Sequence, residues 1–176
     1  MKKHTLALSF ALSVATFGAS SAALAQDASI GAGLGATALS DEGETVWRPT
    51  LRLDATLGLV GPLEGGAYLQ VVGSELPLAN PGLGAGLFVA VRPSIPFLGA
   101  VRPIGEASIG RHALPSESQG TSDAWAAALG VGLGIEVNPV VQLEGRVHHA
   151  WLLGLEEGSG LDESAWTVTA GLRIGL

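Results

Sequence analysis

The chain alternates. Across most of its length, apolar residues fall at every second position, and eight segments carry that period. The last is the clearest. Trp166, Val168, Ala170, Leu172, Ile174 and Leu176 share one parity, and Ala165, Thr167, Thr169, Gly171, Arg173 and Gly175 share the other. A period of two puts alternate side chains on opposite faces of a β-strand, so this pattern predicts a strand with one greasy face. The other segments are Ala28–Ala38, Val46–Val60, Ala67–Gly73, Gly82–Arg92, Gly99–His112, Trp125–Val137 and Val140–Leu153. Pro103 interrupts the fifth and predicts a bulge or a late strand start.

Polar or turn-forming stretches separate the segments. Ser40–Thr45, Ser74–Pro81, Ala113–Ser122 and Gly154–Glu163 follow the odd-numbered ones and are long or polar. Gly61–Gly66 and Asn138-Pro139 follow segments two and six and are tight turns; Pro93–Leu98, after segment four, is apolar and proline-rich. An even number of strands with connections alternating in this way predicts an all-β, eight-stranded antiparallel up-and-down barrel that crosses a membrane, its longer connections on the outside.

Hydropathy adds a reason for the membrane. Mean hydropathy is +0.41, yet no segment downstream of the N-terminus has the ~18 uncharged apolar residues of a transmembrane helix. Met1-Lys2-Lys3-His4, an apolar run from Thr5 to Ala22, and Ala23-Leu24-Ala25 form a secretory signal peptide, residues 1–25, cut after Ala25. Residues 26–176 are then the barrel, exported through the Sec pathway to the outer membrane. Removing the leader takes away Lys2 and Lys3, the only lysines. It leaves seven arginines against sixteen carboxylates, a formal charge of about −9. Nucleic acid is excluded as a partner, because phosphate binding needs clustered base. There is no cysteine, so the fold is held without disulfides.

Two residue sets carry the candidate chemistry. Trp47, Trp125, Trp151 and Trp166 all have the apolar parity and all fall at the loop end of their segments, which predicts a membrane-interface girdle on one rim. The other rim is poor in aromatics, with Phe97 and Tyr68. On the polar parity lie Arg48, Arg52, Arg92, Arg102, Arg146 and Arg173, with Asp54, Glu106, Glu136, Glu144, His112 and His148. They are read as a charge network inside the lumen, because ions in a low-dielectric interior must pair or meet water. Glycine and alanine line the same parity of segments one, four and six, leaving either a gap or room for those arginines. A gap would make a narrow anion-leaning channel. A third alternative reverses the faces: a soluble exported barrel that binds an apolar ligand and turns its arginines outward.

No catalytic, cofactor-binding or metal-ligating set is expected. His148 and His149 are adjacent in a strand and diverge, and no G-x-S-x-G is present. Small lipid A deacylases of the outer membrane carry an H-x-S pattern. The corresponding tripeptide here is His148-His149-Ala150, without the serine, and a lipid A-modifying enzyme stays a minor alternative. The acidic outer connections are read as solvated loops, with divalent-cation bridging to lipopolysaccharide as the functional alternative.

From Asp27 to Leu176 the chain resembles the small OmpA/OmpX-type outer-membrane barrel proteins of Gram-negative bacteria. The resemblance is most specific at Val168, Ala170, Leu172, Ile174 and Leu176. That alternation looks like the C-terminal signal read by the barrel-assembly machinery. The signal usually ends in an aromatic, most often Phe, and here it ends in Leu176. The resemblance implies a monomeric integral barrel in contact with outer-membrane lipid and lipopolysaccharide, with a structural or surface-interaction role.

Overall fold

The computed structural model describes residues 28–41, 43–73, 81–116, 120–155 and 159–176. The leader segment 1–25 and the acids Glu42, Glu75, Glu117, Glu156 and Glu157 lie outside the described residues. Eight strands follow one another: β1 (Ala28–Asp41), β2 (Glu44–Gly58), β3 (Leu63–Val72), β4 (Gly82–Val91), β5 (Val101–Ser116), β6 (Gly120–Glu136), β7 (Val141–Leu153) and β8 (Leu161–Gly175). Each pairs antiparallel with the next, and β8 pairs with β1, so the sheet closes in sequence order. At the seam Leu176 N donates to Ala28 O, and on the other side of β8 Gly175 N donates to Val140 O, both at 2.8 Å.

The alternation decides which way the wall faces. Leu34 and Val131 are both 69% exposed, while Arg52 is 5% exposed. Greasy side chains therefore point outward and arginines inward, which overturns the soluble-barrel alternative. Apolar residues covering the outside of every strand are untenable against water and suited to hydrocarbon.

The strands run further than the sequence pattern predicts. A tilted membrane crossing takes about 9–11 residues, and β5 and β6 have 16 and 17. The β5–β6 ladder continues to Ser116↔Gly120, through what reads as a polar loop at 113–122. β1 and β2 likewise pair to Asp41↔Glu44, inside the expected break at 40–45, where Gly43 has φ +85°. β8 begins at Leu161, inside the expected acidic loop, and β3 begins at Leu63, inside an expected turn. Backbone pairing continues into polar sequence because the ladder joins N–H and C=O groups whatever side chains flank them.

Pro103 makes no bulge. It pairs in regular register with Leu133. The β4–β5 ladder ends at Val91↔Gly105, so Pro103 lies where β5 has a neighbour on one side only. Pro49 and Pro115 sit in the same way, just past the ends Thr50↔Val72 and Leu83↔Ala113. A residue without an N–H is tolerated where one edge is open. At the rim where β5 begins, Asn138 Oδ1 accepts from Val140 N and Val141 N, both at 2.9 Å, and folds the β6–β7 turn.

Candidate functional site

The lumen is stratified. Toward the end where β1 begins and β8 ends, four guanidiniums meet four carboxylates. Arg92 Nε donates to Glu64 Oε2 at 2.7 Å and also pairs with Glu144. Arg173 reaches Glu64 at 2.9 Å, Glu144 at 2.8 Å and Asp54 at 3.4 Å. Arg146 pairs with Glu144, with Glu106 at 3.2 Å and with Asp54 at 3.4 Å. Arg52 donates to Glu106 Oε1 at 2.6 Å. His148 Nε2 lies 3.2 Å from the same oxygen and 3.3 Å from Arg52. Arg52 also lies over the Tyr68 ring at 4.7 Å and the Phe88 ring at 5.5 Å.

Equal numbers of opposite charges stand within contact, most of them less than a tenth exposed. Each buried ion costs several kcal/mol to strip of water, and contacts to more than one partner offset that cost. Strand register produces the sharing. Asp54 belongs to β2, and Glu144 and Arg146 to β7, which is not its neighbour, yet Arg146 reaches Asp54 across the lumen.

The small residues of the inward faces make room for these groups. A side chain begun at Gly31 would stand 2.8 Å from Asp54 Oδ2. One begun at Gly66 would stand 2.6 Å from Phe88 Cζ. Gly84 and Gly130 face the His112 and His148 rings in the same manner. These four glycines therefore give their space to neighbours' side chains. Among the ion pairs a cavity of about 20 Å³ is lined by Gly31, Arg52, Asp54, Glu144, Arg146 and Thr169, room for about one water.

Above the ions the lumen changes character. Thr37 Oγ1 is hydrogen-bonded to Thr50 Oγ1 at 2.7 Å and to Thr167 Oγ1 at 2.9 Å. Tyr68 Oη and His112 Nε2 are hydrogen-bonded at 2.9 Å. Higher still, Leu39, Leu114, Ala124, Ala126, Leu152, Leu161 and Ala165 pack into an apolar cap, with Ala150 and Leu155 against it.

The sequence-predicted network is thus divided. Arg52, Asp54, Arg92, Glu106, Glu144, Arg146, His148 and Arg173 come together. Arg102 and Glu136 pair with each other at 2.9 Å as an exposed couple at the lower mouth, because they are the end residues of their strands. His112 joins Tyr68 and, among the described residues, no carboxylate. Arg48 is buried in the upper lumen at 4% exposure.

Sequence reasoning missed two members. Glu64 reads as a turn residue, yet it shares the parity of Tyr68 and Gln70. Tyr68 reads as a rim aromatic, yet it is 5% exposed inside the lumen. Tyr68 already had the inward parity of its segment, and extending that segment's period back three residues from Ala67 would have found Glu64.

Outside, Trp47, Trp125, Trp151 and Trp166 are 59%, 55%, 43% and 51% exposed, all on the outward face toward the loop end. Trp47 and Trp166 flank Ala38 across adjacent strands. His149, also outward, sits edge-on to Trp151 at 4.7 Å and tilted against Trp166 at 4.5 Å. Among the described residues, no group of three or more His, Asp or Glu side chains is arranged to hold a metal.

The geometry is similar to that of several solved structures. Neisserial surface protein A matches with a TM-score of 0.66 and 14% identity, over 84% of this chain and 96% of that one. The N-terminal β-barrel domain of Pseudomonas aeruginosa OprF matches with 0.59 and 14%, over 84% and 97%. The outer membrane enzyme PagL matches with 0.50 and 17%, over 84% and 99%. No family model matches the chain, and no curated protein matches it in sequence. The chain therefore has the OmpA/OmpX-type eight-stranded barrel fold, a likeness of architecture, which does not by itself assign a task.

Proposed function

We propose that this protein is an integral outer-membrane β-barrel with a structural or surface-interaction role and a lumen sealed by its own side chains. One observation carries the reading. The space left among the ion pairs, at Gly31, Arg52, Asp54 and Arg146, is about 20 Å³, and it lies beneath an apolar cap. A conducting pore needs a continuous wet path, and eight strands leave an interior that side chains can fill.

Residues 1–25 act as the Sec signal, and the β8 alternation from Val168 to Leu176 is the segment the barrel-assembly machinery reads. The mature chain works as a monomer among outer-membrane lipid and lipopolysaccharide. The four tryptophans lie at the interface. The protein is not an enzyme in this reading. His148, which would align with the histidine of an H-x-S pattern, is held in the lumen by Glu106 and Arg52, and Ala150 replaces the serine.

Two measurements test the proposal. Mature protein is expected to stay with the outer-membrane fraction after a carbonate wash and to shift its gel mobility on heating. Release by the wash would sink the membrane reading. In planar bilayers pure protein is expected to give no steady single-channel steps, and reproducible steps would favour the narrow channel instead.

A further inference from the structure

The connections after β2, β4 and β6 share the rim opposite the tryptophans. They expose apolar side chains. Val60 and Phe97 are 77% and 85% exposed, and Leu59, Leu63, Val137 and Val140 stand open as well. Across 59–63, 93–101 and 137–141 there is no charged residue, and the only polar side chains are Ser94 and Asn138. We propose that these connections are set into the phospholipid leaflet on their side, at the boundary between headgroups and acyl chains, and anchor that end of the barrel. The inference rests on the membrane reading given above.

Charge leaves the connections bare. The ions that border them are paired: Arg92 Nε donates to Glu64 Oε2 at 2.7 Å in the lumen, and Arg102 Nε donates to Glu136 Oε1 at 2.9 Å. At the tryptophan rim, by contrast, Glu44, Asp162 and Glu163 are exposed. Apolar side chains gathered at one end mark a surface that is covered by something other than water.

The backbone fits a dry surrounding. In 137–141 every N–H is bonded or absent. Val137 N donates to Val141 O at 2.9 Å and Asn138 N to the same oxygen at 3.3 Å. Val140 N and Val141 N donate to Asn138 Oδ1, and Pro139 has no N–H. Leu59 N and Leu63 N bond within their own turn, and Leu98 N bonds Ile95 O. Pro62, Pro93 and Pro96 remove three more donors. Arg92 N donates to Pro62 O at 2.8 Å and Glu136 N to Ala100 O at 2.9 Å, tying the connections to one another. A turn in lipid must satisfy its backbone from within the protein, and a turn in water need not.

Shape and height point to the leaflet. In a barrel closed in sequence order, these connections join alternate strand pairs around the whole circumference. They form a ring, as a surrounding leaflet requires, and not a patch on one side. Trp47 and Leu57 on β2, and Trp151 and Val141 on β7, are each ten residues apart on the outward face. At ~3.3 Å per residue and a tilt of ~40°, that distance spans about 25 Å of the membrane normal, the height of the apolar band of such barrels. With the tryptophans at one interface, the connections begin at the other. Phe97, on the 3₁₀ turn Pro96–Leu98, is the aromatic of this rim.

The chain has no cysteine, so a single introduced cysteine carries a fluorophore without background. Val60→Cys, Phe97→Cys and Val140→Cys report on the connections. Val131→Cys reports on the middle of the wall and Glu44→Cys on water. Mature protein is placed one barrel to a phosphatidylcholine nanodisc, which leaves both faces open to iodide. Heat-modifiable gel mobility checks that each variant has folded. Iodide quenching at 60, 97 and 140 is expected to be about threefold or more weaker than at 44. It should strengthen when short-chain phosphatidylcholine thins the bilayer and weaken when long-chain lipid thickens it.

Quenching at the connections equal to that at 44 overturns the proposal, and is the outcome if a protein partner covers them in the cell. Weak quenching that ignores chain length also overturns it, because the cover is then protein. Position 131 separates the two readings. Strong quenching there overturns the membrane reading itself, whereas a shielded 131 beside exposed connections overturns this inference alone.

Discussion

Glu106 shows what one residue does in this lumen. Its side chain is 1% exposed and contacts Arg52, Arg146 and His148. Removing one partner of a buried ion set leaves uncompensated charge, which costs about 3–5 kcal/mol. Glu106→Ala is therefore expected to lower the midpoint of urea unfolding from vesicles by an amount in that range. Replacing ions with apolar groups of similar size removes the desolvation cost along with the attraction. Arg52→Met/Glu106→Leu should accordingly lie closer to the original midpoint than the single variant. An unchanged midpoint for Glu106→Ala would mean that water, and not Glu106, neutralises the arginines. The parity of Glu106 was legible in the sequence. Its partners were not, because Arg52 is 54 residues away and lies on a strand that does not pair with β5.

At the scale of the strand, period two did most of the work. It placed the outward face of every segment correctly, because a one-residue error in register would turn a whole strand inside out. It failed at strand ends. Ser40, Thr45 and Ser122 break the apolar pattern yet lie in paired strands, since the ladder rewards backbone pairing and is indifferent to side-chain polarity above the membrane. The tryptophans test the level of the membrane on these elements. Trp47, Trp125, Trp151 and Trp166 stand at the loop end of β2, β6, β7 and β8. Lipids brominated near the headgroup are expected to quench their fluorescence more than lipids brominated near the chain terminus. Stronger quenching by the deep bromines would place the girdle in the hydrocarbon and contradict an interfacial role.

For the whole molecule, the lumen has two seals in series. Ion pairs fill the lower part, and Leu39, Leu114, Leu152 and Leu161 close the top. The cap was not foreseen because its leucines lie on the inward parity, at or beyond the ends of the recognised segments, where polar loops were expected. Their burial follows from barrel closure, which brings the ends of β1, β5, β7 and β8 together. Leu114→Ala/Leu152→Ala is expected to destabilise the barrel by about 2–5 kcal/mol for each residue, read as a lower unfolding temperature. It should still give no steady conductance, because the charge network beneath remains. Steady steps from this variant alone would identify the cap as the single barrier.

By itself the sequence determined the class of fold, the strand count and the face each residue takes. Those follow from local alternation and from the hydrophobic cost of each face, both readable within a dozen residues. The final strand is the plainest case: Trp166 to Leu176 alternate, and Arg173 alone breaks the neutrality of the inward side. Tertiary structure decided what Arg173 meets. Closure and register set its distances to Glu64, Glu144 and Asp54. The same closure decided that glycines admit their neighbours' side chains and that leucines cap the lumen. Such contacts depend on how far each strand is offset from strands that are distant in sequence. A one-dimensional pattern of polar and apolar positions holds no record of that offset.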